Sequence, residues 1–223
     1  MTRTLSLLAL LLLAALYSSC DRCPKDEKLG DLQLTDSARA FMPYSDNQTI
    51  VFENGSGQTR TFRVAGAGWD SNQMLVVDVP CSKGSFLNPK QQLIFYEAEN
   101  YSLFMVSEED NQYSLIYSVR IHPVDDLPGN DTLLIDYLEA TAQFNNNVAN
   151  AYQIVNHRGT AANNALLDGL ENFRFVGDTT LRDRSFEMVH TNAQASATNA
   201  FVFYTPQQGI VGIATPNDLW VLQ

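Results

Sequence analysis

The sequence predicts a mainly β protein: an antiparallel meander forming a strongly curved sheet, barrel or sandwich, with one short N-terminal helix. Three observations carry this. About a dozen short β-prone runs recur at regular spacing with turn residues between them. Several of these runs alternate apolar and polar residues, as a strand with one buried face does. The 223 residues are 45% hydrophobic and only 17% charged, which fits a folded chain and not a disordered one.

The elements follow in order. Thr35-Asp36-Ser37-Ala38-Arg39-Ala40-Phe41-Met42 predicts a short helix, capped by Thr35 or Asp36 and stopped by Pro43. Runs 49–53 and 58–64 flank Asn54-Gly55-Ser56-Gly57, whose residues supply positive φ, so they form a hairpin. Strands are expected over 74–79, 92–97, 101–106 and 113–121, with turns at Glu99-Asn100 and 108–111. Residues 125–131 read as a loop. The run 132–144 mixes helix formers with Ile135, Tyr137 and Thr141, and a long strand is favoured, ended by Asn145-Asn146-Asn147. A strand over 151–155 and a helical turn around 164–167 precede strands at 173–176, 185–190, 200–205, 210–214 and 219–222. Gly66-Ala67-Gly68-Trp69-Asp70 reads as a flexible segment displaying Trp69 as an exposed ligand-binding aromatic. With no linker or long repeat, residues 32–223 are expected to form a single β-rich domain.

Charge and hydropathy restrict the setting. Fourteen Lys+Arg against 25 Asp+Glu give a formal net charge of -11, which argues against nucleic acid as a partner. The single long apolar run, 5–16, lies behind Arg3 and is shorter than the ~20 residues a bilayer span needs. Its length and flanks match a secretory signal peptide over 1–19, leading into Tyr17-Ser18-Ser19-Cys20.

Ser18-Ser19-Cys20 resembles the end of the lipobox of bacterial lipoprotein precursors. The resemblance implies that Cys20 becomes the first mature residue and carries lipid on its sulfur. Tyr17 stands where that family usually has Leu, a departure that lipoproteins of the Bacteroidota tolerate. Two or more acyl chains, at ~0.8 kcal/mol per buried methylene, would anchor the domain to a membrane without a transmembrane helix. Residues 20–31 then form a lipidated tether. Within it, Lys25-Asp26-Glu27 looks like the signal that sends some Bacteroidota lipoproteins to the outer face of the outer membrane. Surface display is favoured over the periplasmic face on that basis. A charged, solvated tether accounts for the same three residues.

A second resemblance covers 34–52, with Met42-Pro43-Tyr44, and the closing run from Phe203 through Gly209 and Gly212 to Trp220. Both look like the opening and closing strands of many Bacteroidota β-sheet lipoproteins. It implies export and a β-sheet, and it transfers no catalytic residue. The same lineage implies Asp-Ser/Thr-apolar acceptors for O-glycosylation, matched at Ser37, Thr132 and Thr179.

If Cys20 is lipidated, Cys23 and Cys81 remain. A disulfide between them would close a loop of nearly sixty residues, worth about 4 kcal/mol in the chain-entropy model. The alternative is a small buried Cys81 and a free Cys23. Neither has a Cys or His at zinc-finger spacing, so no metal is expected.

No residue pattern specifies a reaction or a cofactor. His122, His157 and His190 are dispersed and form no helical zinc motif. A site built from His157, His190 and Asp183 would need the fold to gather them. The acidic runs Glu108-Glu109-Asp110 and Asp125-Asp126 lack the alternation and distal Glu of a calcium loop and read as solvated turns. No Gly-x-Ser-x-Gly elbow or phosphate-binding glycine pattern occurs. The first expectation is therefore a non-enzymatic, lipid-anchored binding or structural protein of the cell envelope, with a protein, glycan or lipid partner. A carrier holding a hydrophobic ligand inside a curved sheet is second. A hydrolase with dispersed residues is third.

Overall fold

The computed structural model describes residues 25–45, 47–80, 91–124, 133–158, 167, 170–194 and 199–223, with side chains described outside 65–80 and 91. Cys20, Cys23, Cys81, Thr132, the loop at 125–131 and the side chain of Trp69 lie outside the described residues, as does most of the helical turn expected near 164–167.

The chain is mainly β, as the sequence predicts. Its strands are β1 (Glu27–Leu32), β2 (Thr49–Glu53), β3 (Thr59–Pro80), β4 (Gln91–Ser107), β5 (Tyr113–Val124), β6 (Leu133–Phe144), β7 (Asn147–Arg158), β8 (Arg174–Leu181), β9 (Arg184–Thr191), β10 (Phe201–Thr205), β11 (Gly209–Thr215) and β12 (Asp218–Leu222). One helical turn, α1 (Asp36–Arg39), precedes β2.

The described residues group into two compact units. The smaller holds those up to Asp31 together with 73–97, and the larger holds 32–72 and 98–223. In the smaller unit β1 pairs with β4. The Asp26 carboxylate accepts the Leu93 N–H (3.0 Å), and Lys28 Nζ bridges Asp31 (2.8 Å) and Glu97 (2.7 Å). Residues 27–31, expected to be tether, are thus strand.

The larger unit carries most of a curled antiparallel sheet with the order β7-β6-β5-β4-β3-β2-β12-β11-β10-β9-β8. Two meanders, β2 to β7 and β8 to β12, meet where β2 pairs with β12 (Val221↔Glu53, Leu222↔Phe52). At the far ends of the path, Tyr152 of β7 exchanges backbone hydrogen bonds with Asn172, just ahead of β8 (2.9 and 3.4 Å). Tyr204 of β10 reaches across to donate to Gln153 of β7 (2.9 Å). The sheet therefore curls until its two edges touch.

The predicted hairpin forms with Thr49↔Arg63 to Glu53↔Thr59 in register. Asn54 folds its side chain back onto the Ser56 and Gln58 N–H groups, and Gly57 sits at φ +79°. Two expectations are corrected. Glu99-Asn100 is not a turn, and β4 runs straight through it. Glu99 there accepts from the Leu34 N–H (2.8 Å) and Arg39 (2.8 Å), and buried Asn100 pairs in register with Arg120. These distant partners outweigh local turn preference. Likewise the expected flexible segment 66–70 is strand, because β3 runs as one strand of 22 residues.

Alternate residues fill the interior. On β5, Tyr113, Leu115, Tyr117, Val119 and Ile121 are buried. Phe144 of β6 lies 5.7 Å from both Phe62 of β3 and Trp220 of β12, so aromatic rings close the space between strands that are not neighbours. Each such side chain contributes roughly 1.5–3 kcal/mol on burial. The β8–β9 hairpin folds over the outer face of β11 and β12, packing Leu181, Phe186 and Val189 on Val211 and Val221.

Thr35 caps α1, its Oγ1 accepting the Ala38 N–H (3.3 Å). The fully buried carboxylate of Asp136 receives the Thr35 N–H (3.1 Å) and hydroxyl (2.5 Å) and pairs with Arg158 (2.6 Å). This ties α1 to β6 and β7. Replacing Asp136 with Ala should lower unfolding stability in urea by about 3–5 kcal/mol, because Arg158 is left as an unpaired, mostly buried charge. Gly209 has φ +69°, and a Cβ there would overlap the Tyr44 ring. Gly209→Ala should cost more than about 2 kcal/mol in the same assay.

Candidate functional site

The sequence-predicted residues are not gathered into one place. Lys25, Asp26 and Glu27 are exposed in the smaller unit, where the Lys25 C=O also accepts from Gln92 (3.0 Å). Ser37 is exposed on α1, with its Oγ 3.0 Å from Thr35 Oγ1. Thr179 is half-buried in β8 opposite Phe186. His157 is exposed on β7, and Asp183 is exposed in the turn between β8 and β9. Among the described residues, no group of three or more His, Cys, Asp or Glu side chains is placed to hold a metal ion. Glu109 is structural. Partial burial pushes its pKa up, but hydrogen bonds from the Ser107 hydroxyl (2.6 Å) and the Thr61 N–H (3.1 Å) outweigh that and hold it below the usual value.

His122 joins an aromatic column. Its ring lies 5.4 Å from Tyr137, which stacks on Tyr152 at 5.9 Å. The Tyr137 hydroxyl donates to the Leu170 C=O (3.0 Å), and its pKa is pushed up to about 12, first by burial and then by Tyr152. Leu167 and Leu170 pack against the same cluster, so this column serves as core.

His190 is enclosed. It pairs with Phe175 on β8 and with Tyr204 on β10. Rings of Phe175 (5.0 Å), Tyr204 (5.3 Å), Phe173 (5.9 Å) and Phe41 (6.2 Å) surround it. Its Nδ1 is buried with no hydrogen-bond partner among the described residues. Burial pushes its pKa down, partly opposed by the Met188 backbone. Beside it Phe175, Val176 and Met188 are exposed. Deeper in, Tyr44, Tyr101, Tyr117 and Tyr204 form a buried phenol layer. Tyr101 donates to the Tyr44 C=O (2.9 Å), and Tyr44 accepts the Ile210 N–H (2.5 Å). Burial pushes the Tyr44, Tyr117 and Tyr204 phenols far up, so they stay protonated and neutral.

Two open grooves flank the turn between β10 and β11. One, of about 370 Å³, is bordered by Gln48, Thr49, Val51, Gln207, Gln208 and Gln223, and no side chain lining it carries a formal charge. The other, of about 340 Å³, lies across Gln207 and Gln208, with Phe186 and Glu187 on its far side. Such surfaces offer amide donors and acceptors, suited to binding an uncharged polar ligand by hydrogen bonds. Sequence reasoning missed these grooves. Gln48 and Gln208 come together only through the β2–β12–β11 pairing, and the sole advance signal was the abundance of Asn and Gln.

No protein-family model matches the chain, and no curated protein or solved structure matches it.

The His190 enclosure predicts an acid-sensitive step. The folded pKa is depressed, so below the unfolded value near 6.5 the unfolded chain takes up a proton that the folded chain does not. Stability contributed by His190 is full above that pH and is lost as pH falls from 6.5 through the folded pKa. Urea unfolding across pH 7.5 to 4.5 should show a decline that His190→Phe reduces. An NMR titration should place the His190 midpoint below 6.5.

Proposed function

We propose that the protein is a lipid-anchored, non-enzymatic lipoprotein of the cell envelope whose β-sheet domain binds a partner. The run 5–16 followed by Ser18-Ser19-Cys20 carries this reading, because it supplies both export and an acylated thiol. Lys25-Asp26-Glu27 favours the outer membrane and its outer face. Exposure of all three residues agrees with recognition by an export apparatus. Binding is supported by the polar grooves beside Gln207 and Gln208. A carrier needs a lumen inside the sheet, whereas Phe52, Phe62, Phe144 and Trp220 meet in the interior at 5.7 Å between ring centres. That packing ranks a surface binder ahead of a carrier.

Labelled palmitate should enter the protein in intact cells and be lost in Cys20→Ala. Protease added to intact cells should digest the wild-type domain and spare that of a Lys25→Ala/Asp26→Ala/Glu27→Ala variant held inside. A Cys20→Ala product that still incorporates palmitate would overturn the anchor.

A further inference from the structure

The smaller groove runs along an open stretch of sheet edge. Strand β9 pairs with β10 only at Thr191↔Phe203 and His190↔Tyr204. Beyond those rungs the two strands part. Pro206 begins the turn that ends β10. On β9, Glu187 and Met188 stand opposite the single residue Asp178 of β8, a bulge in which Met188 takes φ +53°. A bulge bends its strand. The groove of about 340 Å³ occupies the gap, with Ser185, Phe186 and Glu187 on one wall and Thr205, Gln207 and Gln208 on the other.

The β8–β9 turn fixes which backbone groups look into this gap. Arg182-Asp183 is a two-residue turn, so Leu181 and Arg184 exchange both backbone hydrogen bonds. Successive residues direct their backbone groups to alternate sides. Phe186 therefore faces β8, while Ser185 and Glu187 face away from it. Met188 gives the same phase, since its N–H donates to Asp178 Oδ1 on β8 (3.1 Å). Across a trans peptide the C=O of one residue and the N–H of the next point in opposite directions, so the Glu187 C=O points away from β8. The N–H and C=O groups of Ser185 and Glu187 thus line the groove, and among the described residues no strand pairs with them on that side.

The same wall carries a charge. Glu187 is exposed, and among the described residues its carboxylate makes no ion pair. Arg182 and Arg184, its nearest cations along the chain, are turned instead to the Glu53 and Leu222 C=O groups. The bulge on one side and the turn on the other limit the open edge to a short segment.

We propose that this groove accepts a short extended peptide segment of a partner protein, which pairs with β9 at Ser185 and Glu187 and sets a Lys or Arg side chain against the Glu187 carboxylate. Strand addition of this kind draws affinity from main-chain hydrogen bonds and selectivity from side chains. Gln207 and Gln208 contact the peptide from the opposite wall. The proposal rests on the binding half of the proposed function and is independent of the anchor. The lipidation experiment reads Cys20 and the strand experiment reads Ser185 and Glu187, so either can fail alone.

The test probes the full chain, purified in detergent, with a displayed library of random dodecapeptides. Selected peptides should share a Lys or Arg within a β-prone run, and their binding should slow hydrogen exchange of the Ser185 and Glu187 amides at least tenfold. Ser185→Pro removes only the N–H that faces the groove and leaves the β8–β9 rungs intact. It should weaken binding at least tenfold, whereas Ser185→Ala, which keeps the N–H, should change it less than twofold. Glu187→Gln should weaken binding at least fivefold, and replacing the basic residue of the peptide with Ala should then cost little more. Exchange on the unaltered protein gives the answer even if the proline variant fails to fold. Selection of no peptide, unchanged exchange at both amides, or full affinity in a folded Ser185→Pro or Glu187→Gln protein would each overturn the proposal. Oligosaccharide binding that Gln207→Ala/Gln208→Ala abolishes and Ser185→Pro does not would overturn strand addition while leaving a binding role in place.

Discussion

The larger unit depends on the seam between β2 and β12. Only two residue pairs, Val221↔Glu53 and Leu222↔Phe52, define its register, yet they join one meander to the other. Side chains reinforce it. Asn54 donates to Asp218 (2.5 Å), Arg182 donates to the Glu53 C=O (3.1 Å), and Arg184 donates to the Leu222 C=O (2.9 Å). The partners lie far apart in sequence, so the seam carries a large loop-closure entropy cost. Local hairpins form cheaply on either side, while the seam requires both ends of the unit to be in place.

Local chemistry made half of this architecture legible. The β2–β3 hairpin could be read because Asn54-Gly55-Ser56-Gly57 fixes its own turn. The closing strands could be read because Gly209 and the aliphatic run after it need no distant partner to declare themselves. Glu99-Asn100 was illegible, since its strand conformation is imposed by Leu34, Arg39 and Arg120. The grooves were illegible for the same reason. Gln48 and Gln208 are ordinary polar residues until the β2–β12–β11 pairing brings them to one groove. His190 could be placed at a strand end from sequence, but its four surrounding rings come from three separate segments and left no local trace.

Polar groups divide sharply between the inside and the rim. Inside, the phenols and His190 are kept neutral by burial, so they contribute shape and hydrogen bonds without charge. Among the described residues Asp136 is the buried carboxyl side chain, and three donors surround it. At the rim, amides and backbone groups are presented to solvent around the β10–β11 turn. The rim thus supplies hydrogen-bond donors and acceptors on a well-packed interior.

The β8–β9 hairpin gives β11 a second covered side. Five consecutive residues there, from Gly209 to Ile213, are buried on both faces. The hairpin therefore adds a second layer over the last part of the sheet. Leu181, Phe186 and Val189 meet Val211 and Val221 there, so the last strands are shielded by apolar contact on the face turned away from the interior as well, a two-layer arrangement built from one continuous sheet.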